Sequence, residues 1–327
     1  MIPKLPKNCN PRTFLKFHET RGKMRLSASI VLLKRQPKSS NFKILFVERS
    51  KSISSPGMFT FPGGVYDKLN DSSCLRMTAL RELFEETGIL FGFPKDMSNN
   101  LRANFENERE NLRNGEIQFH SLLNKYDINL TSEMKSLKHF TTFITPDFAK
   151  PKFITPFFIK DISDDTSCCD NMKPDLTETQ SLKWLTPSEA IERNNIGKMK
   201  YLPPQAYIVQ LLNQYKTLDN VMSSLVKNET QNHREVTVDN VLDIRDLRNM
   251  VPIKPLKLSS HSSECDHDSG SDRDSSDKGG KDKEAILVFP GDQMHGEYPG
   301  IEGQRHRIRA RLPMGIGFKF ESNLTQR

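Results

Sequence analysis

The sequence predicts an α/β fold, and three observations carry that prediction. Runs of β-branched and aromatic residues recur at 28–33, 44–47, 140–144 and 153–159. A segment with a carboxylate face, Arg-Glu-Leu-Phe-Glu-Glu-Thr-Gly-Ile at 81–89, follows the first two runs. Further on, 203–226 places Ile208, Leu211, Leu212, Tyr215 and Leu218 at helical spacing.

Residues 28–33 read as a β-strand and 44–47 as its partner, across a polar turn at 36–41. The chain then reaches Gly57 and Phe61-Pro62-Gly63-Gly64. Glycines there let backbone approach a ligand closely and offer it amides or carbonyls. Asp71, Ser72 and Ser73 are N-cap candidates for the next helix. Leu75, Ala79 and Leu83 recur every four residues and mark its core side. Gly88 suits the left-handed residue that ends it.

Glu82, Glu85 and Glu86 stand at i, i+3 and i+4 and share one face of this helix. Like charges at that spacing repel. A hard divalent cation among them removes the repulsion, and oxygen-only ligands suit Mg²⁺ or Mn²⁺. Arg81, four residues before Glu85, can orient it by a charge-assisted hydrogen bond. The plain alternative is a solvated, salt-bridged helix face; the Gly-Gly loop upstream argues against it.

With a Gly-Gly loop followed by Arg81, Glu82, Leu83, Glu85, Glu86, Gly88 and Ile89, the chain resembles the Nudix hydrolase superfamily. Its box reads Gly-x5-Glu-x7-Arg-Glu-U-x-Glu-Glu-x-Gly-U, with U aliphatic. The second half matches throughout. The first half departs: the strict glycine position falls on Asp67, the early glutamate position falls on Ser73, and Gly64 stands seventeen residues before Arg81. A short insertion between glycine and helix accounts for both departures. That insertion, with Pro174-Asp175-Leu176, 184–189, 201–205 and Phe289-Pro290-Gly291-Asp292, resembles the acyl-coenzyme A diphosphatase branch of the superfamily.

The resemblance implies an α/β/α sandwich with a mixed sheet, and metal-dependent hydrolysis of a diphosphate bond. Glu82, Glu85, Glu86 and Gly64 would hold Mg²⁺ or Mn²⁺, Glu85 acting also near the water and Arg81 orienting the carboxylates. A carboxylate outside the box is often needed as ligand or base, and Glu178 is the candidate; the alternative is a plain loop carboxylate. Arg49, Gly63 and Gly64 would contact substrate. Arg49-Ser50 before Gly57 and the Gly-Gly loop fits the coenzyme A pattern, but Ile53 stands near the place of an expected arginine. The implied products are 3′,5′-ADP and (acyl-)4′-phosphopantetheine. Nucleotide sugars, ADP-ribose and capped RNA ends are rival substrates, and a catalytically inactive binding module is the alternative from another class.

Residues 104–139 form a polar helical insertion with Leu122, Leu123, Tyr126 and Met134 as its apolar content. Two strands follow at 140–144 and 153–159, then a polar loop at 163–173, a Trp184-bearing strand and a helix near Pro187. Pro203 and Pro204 suit a helix start. Residues 259–283 are Ser, Asp, Lys, Gly and His with almost no apolar side chain, the composition of a disordered linker. Closing strands are expected at 285–289, 306–312 and 316–320. Arg305, Arg307, Arg309 and Arg311 alternate along one of them, either to meet phosphate or to keep an edge strand soluble. The expected organisation is therefore a basic extension at 1–24, a main domain at 25–258, the linker, and strands at 284–322 completing the domain.

The 327 residues carry a net charge of +7, with mean hydropathy −0.61 and 35% hydrophobic residues. That balance suits a polyanionic small molecule or nucleic acid. The five cysteines, Cys9, Cys74, Cys168, Cys169 and Cys265, show no zinc-ligand spacing and fit a reducing, intracellular setting. No apolar run reaches the ~18 residues of a membrane span. Lys4, Lys7, Arg12, Lys16, Arg21, Lys23 and Arg25 against Glu19 read as a mitochondrial presequence or a basic tail. Leu324-Thr325-Gln326-Arg327 is not a Ser-Lys-Leu peroxisomal address. The expected location is mitochondrial or peroxisomal, with the cytoplasm open.

Overall fold

Strand β1 (Arg25–Arg35) is buried without alternation from Ser27 to Leu33, which means that both faces of its sheet are covered. Strand β2 (Phe42–Arg49) shows the same pattern from Ile44 to Val47. Each fully buried Val, Ile, Leu or Phe in such strands contributes about 1.5–3 kcal/mol relative to exposure. The computed structural model describes residues 24–37, 39, 41–51, 55–72, 74–92, 105–146, 149–164, 167–169, 172–229, 256–258, 284–289, 292–294, 302–303, 305–311 and 316–322. The basic stretch before residue 24, Ile53, Ser73, the 259–283 segment and Pro290-Gly291 lie outside the described residues.

The main sheet also contains β3 (Met58–Thr60), β4 (Gly63–Val65), β5 (Lys138–Ile144), β6 (Phe153–Asp161), β7 (Thr179–Leu185) and β8 (Lys200–Tyr201). Its order is β5-β6-β1-β2-β3-β8, with β4 on β1 and β7 on β2. The β1–β6 and β3–β8 pairings are parallel and the others antiparallel, so the sheet is mixed, as the resemblance implied.

One face packs Ala28, Ile30, Leu32 and Leu45 against α1 (Leu75–Thr87) and the insertion helices α2 (Phe105–Arg113), α3 (Phe119–Lys125) and α4 (Thr131–Ser136). The other packs Val31, Leu33, Ile44 and Phe46 against α5 (Pro187–Asn195), α6 (Pro203–Leu212) and α7 (Leu218–Glu229). This is the three-layer sandwich expected, and the insertion is helical as expected. The single helix expected over 203–226 is two, α6 and α7, with the chain leaving helix at 213–217. Thr186 and Glu189 form a reciprocal capping box at the start of α5, next to Pro187.

A second, four-stranded sheet has the order β12-β11-β10-β9, from β9 (Leu256–Leu258), β10 (Glu284–Val288), β11 (His306–Arg311) and β12 (Ile316–Ser322). It joins the α5–α7 side through Phe289, Ile308 and Phe318. Strand β11 is interior to this sheet, so its arginines are not an edge device. Arg307 is buried against Asp292 (2.7 and 2.8 Å), and Arg309 pairs with Glu321 (2.7 Å). The sheet is tied to α6 by a buried hydrogen bond between the Tyr207 hydroxyl and His306 Nε2 at 2.9 Å. Among the described residues Cys74, Cys168 and Cys169 form no disulfide, and no helix is long and apolar enough to cross a membrane.

Tyr207→Phe removes the buried hydrogen bond between the Tyr207 hydroxyl and His306 Nε2. The expected cost is about 1–3 kcal/mol in the free energy of urea unfolding, with secondary structure unchanged.

Candidate active site

Helix α1 begins after Cys74, which has extended backbone (φ −118°, ψ 114°) and gives no side-chain cap. Asp71, an expected cap, is turned inward instead, with no exposed surface. It receives Arg81 in a two-pronged bond: Nε to Oδ1 at 2.7 Å and Nη2 to Oδ2 at 3.0 Å. Arg81 Nη2 also donates to the Val65 carbonyl at 2.9 Å. Its Nη1 lies 2.9 Å from Glu82 Oε1 and 3.0 Å from Glu85 Oε1. The guanidinium therefore meets five oxygens, as many as it has N–H donors. Burial disfavours its charge, but the bond to Asp71 and the fields of Glu82 and Glu85 prevail and raise its pKa.

The apolar stripe behaves as read: Leu75, Ala79 and Leu83 are all fully buried. Gly88 takes the left-handed conformation (φ 74°) and its N–H donates to the Phe84 carbonyl, closing the helix. Glu82 and Glu86 are buried and Glu85 is partly so. Burial first, then the neighbouring Glu85 and Glu178, push Glu82 up to about 8 against the pull of Arg81. Burial likewise raises Glu85, with Arg81 opposing and Asp71 and Glu178 adding to it. Glu86 is raised well above the carboxylate range by burial and by Glu82, while the Gly63 amide and Arg49 act the other way.

Strand pairing decides who else is present. The β1 edge is shared: Leu33 to Arg35 pair with β2, whereas Ser27 to Ser29 pair with β4. The two neighbours diverge, and the Gly-Gly step sits at the divergence over the end of α1. A Cβ on Gly63 would overlap the Ala28 carbonyl, and one on Gly64 would overlap the Glu82 carboxylate. The Gly63 N–H donates to Glu86 Oε2 at 3.1 Å rather than facing outward.

Strand β7 runs beside β2 with Arg49 opposite Thr179, so Arg49 and Glu178 arrive together. Glu178 acts electrostatically on all three helix glutamates, and Arg49 on Glu86. The predicted residues Arg49, Gly63, Gly64, Arg81, Glu82, Glu85, Glu86 and Glu178 thus gather at one place.

Sequence reasoning missed three contributors. Asp71 anchors Arg81. Asp175 Oδ1 accepts the N–H groups of Thr177, Glu178 and Thr179 at 2.8–2.9 Å and shapes the turn that presents Glu178. The Thr179 hydroxyl donates to the Glu86 carbonyl at 3.0 Å. The Asp-x-Thr-x-Thr spacing at 175–179 is a signal for such a turn.

Among the described residues, no three carboxylate, imidazole or thiol groups already stand at metal-site spacing. Glu82 is turned onto Arg81 and Glu86 onto the Gly63 amide. The chemistry nevertheless fits a hard divalent cation. The donors are all carboxylate oxygens, burial leaves their negative charge poorly compensated, and the Glu82 carboxylate packs directly against Gly64, where any side chain would displace it.

A family model described as the NUDT19 Nudix domain matches residues 65–212. Nudix hydrolase 7 of Caenorhabditis elegans is 28% identical over 207 residues, covering 60% of this chain and 62% of that protein. Acyl-coenzyme A diphosphatase NUDT19 of Xenopus laevis is 26% identical over 216 residues, covering 60% of this chain and 54% of that protein. The chain thus spans less than two thirds of the length of both relatives. The crystal structure of a Nudix hydrolase from Alicyclobacillus acidocaldarius superposes with a TM-score of 0.50 at 21% identity, over 62% of this chain and 96% of that one. That likeness is one of fold.

Two outcomes follow from this geometry. Glu82 folded titrates at about 8 against an ordinary 4.5, so the folded state holds a proton that the unfolded state has lost. Its stabilising contribution is complete below about 4.5 and lost as pH rises through 8. His139, pushed down to about 3 by burial from an ordinary 6.5, acts oppositely, but only below 6.5. In metal-free protein the melting temperature should therefore fall between pH 6.5 and 8, and Glu82→Gln should flatten that fall; calorimetry across this window checks it. Gly64→Ala should displace the Glu82 carboxylate and weaken Mn²⁺ binding by about tenfold or more, as read by titration.

Proposed function

We propose that the chain is a member of the Nudix hydrolase superfamily that hydrolyses a diphosphate bond, with coenzyme A or acyl-coenzyme A as substrate. The observation that carries this is the convergence of Glu178 on Glu82, Glu85 and Glu86 around a fully engaged Arg81. A non-catalytic domain has no use for three crowded helix carboxylates with an exposed fourth, Glu178, acting on them, since their mutual repulsion costs stability.

Members of the superfamily generally need divalent metals. Such an ion, when bound, would supply neutralising charge for the diphosphate and a water of lowered pKa as nucleophile. Glu82, Glu85 and Glu86 would hold the ion, with the Gly64 backbone beside Glu82 offered to it. Arg81 fixes the rotamers of Glu82 and Glu85, so these carboxylates are preorganised. Glu85, the most open of the three helix glutamates, would also act near the water, and Glu178 would serve as a further ligand or as general base. Arg49 stands where a positive group can meet an anionic substrate. The products from coenzyme A would be 3′,5′-ADP and 4′-phosphopantetheine, or its acyl form. The basic balance of the chain and its similarity to the Xenopus diphosphatase support this substrate class.

Purified protein with coenzyme A or acyl-coenzyme A and Mg²⁺ or Mn²⁺ should release 3′,5′-ADP. Chelation should abolish release, and Glu86→Gln should lower kcat by on the order of 10²-fold or more. Hydrolysis of ADP-ribose or capped RNA without release from coenzyme A would keep the reaction and replace the substrate. Absence of turnover on all of them would leave a binding domain.

A further inference from the structure

The last four carbonyls of an α-helix have no partner inside it, and in α1 all four are met. Phe84 O accepts from the Gly88 N–H at 2.8 Å. Glu85 O accepts from Arg109 Nε at 2.8 Å, Glu86 O from the Thr179 hydroxyl at 3.0 Å, and Thr87 O from the Lys173 N–H at 3.0 Å. Only the first is local. The other three donors come from the insertion helix α2 and from the segment that leads into β7. Both therefore grip the turn of α1 that bears Glu85 and Glu86.

Helix α2 grips both partners at once. Glu106, Arg109 and Arg113 are spaced i, i+3 and i+7 and lie on one face. Glu106 Oε2 is 3.4 Å from Lys173 Nζ. Arg113 Nη1 is 3.2 Å from Asp175 Oδ2 and 3.3 Å from the Asp175 carbonyl. Asp175 is the residue whose other oxygen organises the turn carrying Glu178. Phe105 and Leu112 are buried in the core beneath α1 and anchor the helix, and Phe105 stacks edge-on against Phe84.

Arg109 stands out among the described residues. Its side chain is fully buried, and Nη2 finds no hydrogen-bond partner among them. A buried, incompletely bonded guanidinium is costly. What it does here is place positive charge at the negative end of the α1 dipole, under two glutamates that the dipole disfavours.

We propose that Arg109 and Arg113 are positioning residues, and that α2 is a strut setting the distance between the α1 glutamates and Glu178. The strut joins the two halves of the carboxylate site, one on the helix and one on the β7 turn, which are otherwise linked by Thr179 and Lys173. This rests on the hydrolase reading above. Its specific content is that the insertion, remote from the reacting atoms, controls cation affinity and kcat.

The test is Mn²⁺ binding to the full chain by electron paramagnetic resonance, with melting temperature and steady-state kinetics alongside. Arg113→Gln and Arg109→Lys should weaken Mn²⁺ binding by about 10- to 100-fold and lower kcat with KM little changed. Lys125→Ala removes the pair with Glu108 on another face of α2 and the contact of its ammonium with the Tyr126 ring, and touches neither Arg109 nor Arg113. It should leave Mn²⁺ affinity within about twofold. If Arg109→Lys does not fold, Arg113→Gln, whose side chain is partly exposed, carries the test alone. Wild-type Mn²⁺ affinity in Arg113→Gln, or an equal loss in Lys125→Ala, would overturn the strut while leaving the hydrolase reading intact. A wild-type protein that binds no Mn²⁺ would remove both.

Discussion

One buried guanidinium holds the site together. Arg81 meets oxygens from β4, from the loop before α1 and from α1 itself. A lysine could not replace it, because three donors on a flexible stem cannot serve five acceptors in fixed directions. The longer loop that breaks the strict box pattern is also what supplies Asp71, the strongest of these partners. The departure in sequence is thus compensated in space: the anchor of the arginine comes from within the inserted stretch.

Around Arg81 the molecule accepts electrostatic frustration. Glu82, Glu85 and Glu86 are shielded from water and all three titrate above the ordinary range. Such an arrangement opposes folding of the metal-free chain, and the surrounding packing must exceed it. The covering is extensive: β1 and β2 are buried on both faces, and α1 contributes Leu75, Ala79, Leu80, Leu83 and Phe84 to one core. Such local frustration is tolerated where the scaffold over-determines it.

Separate pairings aim the groups at one another. The β1 edge passes from β2 to β4, which sets the Gly-Gly step over α1. Pairing of β7 with β2 brings Glu178 to glutamates some ninety residues earlier in the chain. On the opposite face the second sheet closes the other core around Tyr207, Phe289 and His306.

Local rules reached far into this chain. The helix at 75–87, its buried stripe, its glycine stop and the Arg81–Glu85 bond all follow from spacing along one helix, and spacing is a property of sequence. The paired strands and the helical insertion were legible for the same reason, since period and turn residues are local. The N-cap was misread because Asp71 had a stronger partner ten residues away, and no local rule prices that competition. The split between α6 and α7 and the interior place of β11 depend on what packs against them. Arg109 and Arg113 gave no signal at all, being ordinary helix residues until α1 and the Asp175 turn lie beside them. The sequence by itself determined which carboxylates share one face of the helix. Tertiary structure alone decided what they meet, because hydrogen bonds and charge pairing depend on distance in space and not on separation along the chain.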